Sequence, residues 1–267
     1  DILTGKRRLR IGYFASSPYF PSSPACNRAV HEAVDHLYAL GHECIDIYDA
    51  VPSSAEGFGL YAGLLSSDGQ LRSMREGLYG EQFVENYKMI YMYSLIPNLL
   101  RAPISAVLKY VLGEPRKAML NRCLGARSTY EYWGLVAKMK SYQEKWVHMA
   151  KALELDVIVS PGSSLPALTH GGFRKLQASF HYNTMWNLLD WPCGVVPVTQ
   201  VREDEDGVYV GTPANDSLDK AAMEETQGSK GMPVGVQVAS LPYNDEMVLR
   251  VMKEIEERAK FNSSPAV

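Results

Sequence analysis

Catalysis and metal binding need reactive side chains at set spacings, and three stretches of this sequence approach such a pattern. Pro161-Gly162-Ser163-Ser164 follows an apolar run, the place a nucleophilic serine would take on a strand-to-helix turn. The G-x-S-x-G spacing of such a turn is missing, and Pro166 stands where the helix would have to begin. Neither Ser163 nor Ser164 is read as a nucleophile, and no catalytic residue is assigned. His31-Glu32-Ala33-Val34-Asp35-His36 resembles a helical zinc motif, but its histidines are five apart instead of four. That separates them by roughly 140° around a helix, too far to share one ion. Arg202-Glu203-Asp204-Glu205-Asp206-Gly207 has the acidity of a calcium loop, yet Arg202 would be its first ligand and Pro213 its twelfth. No metal and no cofactor is expected.

The four cysteines, Cys26, Cys44, Cys123 and Cys193, follow no metal-like spacing and read as buried free thiols of a reducing compartment. A net charge of −3 gives no reason to expect nucleic acid as a partner. With 46% hydrophobic residues the chain has the composition of an ordinary folded protein. Asp1 opens the chain, and Lys6-Arg7-Arg8 leads directly into an apolar run, so the sequence reads as a piece of a longer one.

The elements that would position any site follow from periodicity. Leu9 to Phe14 reads as a strand. Pro24 opens a helix with Val30, Val34, Leu37 and Leu40 on one face, closed by Gly41. Cys44 to Tyr48 reads as the next strand, and this strand, helix, strand order implies parallel pairing. Residues 52–80 are interrupted by glycine and serine and read as broken helices and turns. Tyr132, Leu135, Met139, Tyr142, Trp146, Met149 and Leu153 form one stripe at helical spacing, expected as core packing. Asp156 to Ser160, Gly194 to Val198 and Val234 to Val238 read as buried strands. Between the last two, residues 201–231 read as an acidic surface loop. A final helix spans about 244–260, with Met247, Val251 and Ile255 facing inward. The expected fold is α/β, a mixed sheet flanked by helices.

Residues 86–130 differ in charge from the rest. Lys88, Arg101, Lys109, Arg116, Lys117, Arg122 and Arg127 face the single acid Glu114, giving +6 in a chain whose total is −3. Within this segment Met89 to Leu100 is an uncharged run of 12 residues. A span of the bilayer needs about 20. Pro97 and Pro103 are expected to break the run into two short helices, and such a pair with a basic flank suits a surface-lying membrane anchor over residues 86–113. Ile96, Leu99, Leu100, Ile104, Val107 and Leu108 are the candidate membrane-binding residues.

Three blocks carry a family likeness. Leu155-Asp156-Val157-Ile158-Val159-Ser160-Pro161, Trp186-Asn187-Leu188-Leu189-Asp190-Trp191-Pro192-Cys193-Gly194-Val195-Val196-Pro197-Val198 and Gly231-Met232-Pro233-Val234-Gly235-Val236-Gln237-Val238 resemble, in order, the late motifs of the amidase signature family. Leu189-Asp190-Trp191-Pro192, Leu241-Pro242-Tyr243 and the apolar helix pair are most similar to the branch that cleaves fatty-acid amides. The resemblance implies that the whole of 1–267 is the C-terminal part of one amidase domain. It also implies hydrolysis by a nucleophilic serine, with a second serine and a lysine as proton relay. Those groups lie N-terminal to the matched region in the family, so the chain alone is expected to be inactive.

By position in the motifs, Phe180 and Thr184 match residues of an acyl channel. Gln177 and Tyr243 match it less closely, and Leu64 and Leu65 fall where a helix before the anchor contributes a wall. Asn187 is expected to brace backbone between blocks. The implied partners are a lipid amide substrate, a membrane surface, the N-terminal half of the same protein and, as a further candidate, a second copy of the chain. The implied location is intracellular, with peripheral or monotopic attachment at the endoplasmic reticulum. The alternatives are an amidase for small polar amides and a non-catalytic, membrane-associated binding protein derived from the fold.

Overall fold

A computed structural model of the chain describes residues 7–69, 71–82 and 84–261. Five strands form a mixed sheet: β1 (Arg10–Tyr13), β2 (Glu43–Asp46), β3 (Val157–Pro161), β4 (Cys193–Gln200) and β5 (Pro233–Ala239), in the spatial order β2-β1-β3-β5-β4. β1 is parallel to both β2 and β3, as the strand, helix, strand order requires, whereas β5 runs antiparallel to β3 and β4.

Alternation along the strands divides the core between two faces. Ile11, Val157, Val159, Val196, Val198, Val234, Val236 and Val238 pack against α1 (Pro24–Ala39) and α10 (Asp245–Ala259). Ile158 and Ala239 face the other way, toward α2 (Ser54–Leu65), α7 (Thr129–Ala152) and α8 (His181–Leu189). There Trp146, Trp186 and Trp191 meet ring to ring at 5.5–6.1 Å. A third cluster joins Tyr19, Phe20, Phe58, Leu176 and Tyr209 to α9 (Ser217–Thr226).

The helices begin where their caps allow. Ser23 accepts from the Cys26 amide ahead of Pro24, and Ser128 and Glu131 form a reciprocal capping box on α7. Gly41 ends α1 with φ +90, a conformation suited to glycine.

Several expectations need correction. Leu40 lies at the end of α1 and is 38% exposed, so the buried face stops at Leu37. Tyr132 is exposed, and the core part of the α7 stripe begins at Leu135. Residues 201–231 are no loose loop: they contain α9, whose Leu218, Asp219, Ala221 and Ala222 are buried. Within 52–80 the expected broken helices are present, as α2 and the short α3 (Arg72–Gly77). Cys193 is exposed, unlike the buried Cys26; all four cysteines are free.

The segment before α7 folds as α4 (Glu85–Ser94), α5 (Asn98–Tyr110) and α6 (Pro115–Cys123). Pro97 separates α4 from α5, but Pro103 lies inside α5 and does not end it. Among the described residues no helix is long and apolar enough to cross a membrane.

Candidate substrate cleft and apolar hairpin

Two α8 residues, Asn183 and Thr184, and the preceding turn with Gln177 and Phe180 form one wall of a cleft of about 380 Å³. Phe58, Tyr61 and Leu65 of α2 face them, and Tyr87, Ile90 and Leu120 close the side toward the helical segment. Phe173 stacks edge-on against Phe180, with ring centroids 4.3 Å apart. The Gln177 side chain donates to the Asn86 carbonyl at 2.8 Å, tying α4 to the turn before α8. The Thr184 hydroxyl donates to the His181 carbonyl at 3.2 Å. The lining is mainly aromatic and aliphatic, with the amides of Gln177, Asn183 and Asn187 and the hydroxyls of Tyr61, Tyr87 and Thr184, a composition suited to an apolar chain.

Phe180, Thr184, Gln177 and Leu65 are thus brought together. Leu64 and Tyr243 are not. Leu64 packs against the α7–α8 core, and Tyr243 is 95% exposed in the turn after β5. Asn187 is exposed on the cleft wall, where a bracing role was expected. Phe58, Tyr61, Tyr87, Ile90 and Leu120 were missed; each is an aromatic or aliphatic residue on a helix, which spacing alone cannot separate from core.

A second cavity of about 480 Å³ shares Phe173, Phe180 and Asn183 with the first and holds Ser163, Thr169 and His170. The Ser163 hydroxyl oxygen accepts from the Leu165 amide at 3.4 Å. Ser164 is fully buried and donates to the Ser179 carbonyl at 2.8 Å. His181 is buried, and that burial pushes its pKa down to about 3, so its ring stays neutral. Among the described residues no cluster of three or more histidines, cysteines or carboxylates could hold a metal.

Beside the cleft, α5 and α6 pair with their polarity inverted. The buried residues of α5 are Arg101 and Ser105. Arg101 donates to the carbonyls of Asn121 and Tyr93, each at 3.0 Å, and to that of Ser94 at 3.3 Å. Asn121 returns a bond to the Arg101 carbonyl at 3.0 Å and donates to Ser105 at 2.8 Å. Burial lowers the pKa of the Arg101 guanidinium from its ordinary value, with Arg127 adding to the effect.

Gly125 makes this packing possible. Its φ is +124, and a Cβ there would collide with Asn98 and Arg101. The apolar side chains lie outside: Leu99 is 87% exposed, Val111 74%, Leu112 61%, Val107 49% and Leu100 48%. Ile96, Ile104 and Leu108 are half-buried.

Fold and cleft together define an α/β protein of the amidase type. Residues 3–249 match the Amidase family, and the chain belongs to it. It is 34% identical over 260 residues to fatty acid amide hydrolase 1 of Caenorhabditis elegans, covering 96% of this chain and 44% of that protein. It is 32% identical over 267 residues to the fatty-acid amide hydrolase 1 of Sus scrofa, again spanning 44% of the relative. Among solved structures, a fatty acid amide hydrolase superposes with a TM-score of 0.69 at 16% identity, over 97% of this chain and 41% of the other. The 6-aminohexanoate cyclic dimer hydrolase follows the same fold, with a TM-score of 0.56, 16% identity and coverage of 97% and 47%. The chain therefore spans less than half the length of these relatives.

Proposed function

We propose that the chain is the C-terminal, substrate-holding part of a serine hydrolase that cleaves fatty-acid amides at a membrane surface. The nucleophilic serine, its partner serine and the lysine would then come from the N-terminal half of the same protein. The observation that carries this reading is the apolar cleft set against a helix pair whose apolar side chains face outward. A small polar amide needs neither feature. A lipid amide needs both, because its chain must leave one apolar phase and enter another. Phe180, Thr184, Gln177 and Leu65 would line the path of the acyl chain.

The full-length parent decides the matter. It should hydrolyse a long-chain acyl amide with a higher kcat/KM than a short-chain one. Phe180→Asp should depress the long-chain value by about tenfold or more, since one fully buried large apolar side chain contributes about 1.5–3 kcal/mol, and should leave the short-chain value nearly unchanged. Equal rates for both substrates, or a Phe180→Asp variant that keeps the long-chain preference, would overturn the assignment.

A further inference from the structure

Arg116 stands on the first turn of α6 and is 6% exposed. Its Nε donates to Asp216 Oδ2 at 2.8 Å, its Nη2 donates to Asp216 Oδ1, and Nη2 also lies 2.8 Å from Asp219 Oδ1. The guanidinium sits over the Phe20 ring, 5.0 Å from its centroid, and donates to the Tyr19 carbonyl at 3.4 Å. A buried cation held by two buried carboxylates thus joins α6 to α9. Such a joint is a weak stabiliser compared with apolar packing of the same volume, and its attested use is to fix one arrangement among several.

Two routes lead from this joint to the cleft. Leu120 lies one helical turn beyond Arg116 on α6 and lines the cleft. Tyr19, whose carbonyl accepts from Arg116, packs its ring 5.6 Å from that of Phe58, another lining residue. We propose that Arg116 is a positioning residue: its clamp on Asp216 and Asp219 sets the separation of the Leu120 and Phe58 walls and thereby selects which apolar chains the cleft accepts. The proposal rests on the reading of the cleft as an acyl-chain site. Asp216 also caps α9 by accepting from the amides of Leu218 and Asp219, at 2.9 and 3.3 Å. Asp216→Asn keeps an oxygen for that cap while removing the charge.

The test uses the full-length parent in lipid nanodiscs and two hydrolysis-resistant probes, a short-chain and a long-chain acyl ketone analogue of the amide, each with a photoreactive diazirine at the chain end. Cross-links are mapped by mass spectrometry. The wild-type parent should be labelled on cleft residues with a reproducible long-to-short ratio. Asp216→Asn and Arg116→Met should each change that ratio by about threefold or more. Arg116→Lys should restore most of it. Arg28→Met, which removes the ion pair with Glu205 at 2.6 Å on the far side of the sheet, should lower stability without moving the ratio. Where Arg116→Met does not fold, Asp216→Asn decides. A folded Asp216→Asn with the wild-type ratio overturns the positioning role. A wild-type parent that takes no label in the cleft overturns the reading of the cleft, and this proposal with it.

Discussion

The indole Nε1 of Trp186 donates to Oε1 of Gln237 at 3.0 Å, and both side chains are buried. This bond joins α8, which carries Asn183 and Thr184 to the cleft, to the inner strand β5. Gln237 points to the opposite side of the sheet from its neighbours Val236 and Val238, and Trp186 is the polar group waiting there. Two of the family motifs therefore meet through one hydrogen bond.

Gln237→Leu should destabilise the fold by about 1–3 kcal/mol, because it leaves the buried indole N–H without its acceptor. Urea unfolding followed by tryptophan fluorescence measures this, since Trp186 reports the change. An unchanged midpoint would show that the indole has found another acceptor.

The exposed and half-buried apolar residues along α5 and just before it lead to a second expectation. Burying about four leucine-sized side chains contributes roughly 1.5–3 kcal/mol each, against about 1 kcal/mol per nearby basic residue at an anionic lipid surface. The apolar contribution is the larger. Replacing Ile96, Leu99, Leu100 and Ile104 with serine should abolish flotation with liposomes, whereas Lys109→Ala should only weaken it and high salt should not release the protein. Flotation of the serine variant at the wild-type level would refute the membrane reading.

Gly125→Ala should loosen the α5–α6 pair. The new methyl group would meet Asn98 and Arg101, in a backbone conformation that disfavours side chains. Destabilisation of at least about 1 kcal/mol is expected. Hydrogen exchange resolved by peptide checks it: protection should fall in 98–123 and stay unchanged in β3 and β5.

Acid stability should depend on Glu205. Hydrogen bonding to Arg28 holds its carboxyl below the ordinary carboxylate range, with the Arg202 amide and the charges of both arginines adding to the effect. A folded-state pKa below the unfolded value means that this stabilisation is present above the unfolded pKa of about 4.3 and is lost as pH falls through the folded pKa. Glu205→Gln should therefore lower Tm at neutral pH, and the gap from wild type should shrink as pH falls below about 4. A gap that stays constant with pH would rule out this origin.

The chain by itself should not react with a fluorophosphonate probe. Ser164 is buried and hydrogen-bonded to backbone, and Ser163 accepts from a backbone amide. Labelling that disappears in Ser163→Ala or Ser164→Ala would reassign those serines.

The strands and the helices α1, α7 and α10 were legible because local pattern and buried face agree: a run such as Val157 to Val159 is buried on both faces whatever lies beyond it. The order of residues 201–231 was not. It depends on Arg116, which reaches Asp216 from 100 positions away, and nothing in the acidic, turn-rich composition of the segment announces that partner. The same applies to Pro103. It removes one backbone donor from α5, but the Arg101, Asn121 and Ser105 network holds the helix from its other side. At the cleft, Phe180, Thr184 and Gln177 were named through motif position, and Leu65 through its place on the helix before the apolar segment. Phe58, Tyr61 and Leu120 needed the packing of α2 and α6 against α8, which spacing does not contain.

The inverted polarity of the α5–α6 pair has a practical consequence for anyone improving this protein in the test tube. A screen that rewards yield in plain buffer will choose polar replacements at Leu99, Leu100, Val107, Val111 and Leu112, since each removes apolar surface from water. The winners would behave well on a column while shedding the surface that we propose meets the bilayer. Selection for expression and selection for work at a lipid boundary pull those five positions in opposite directions.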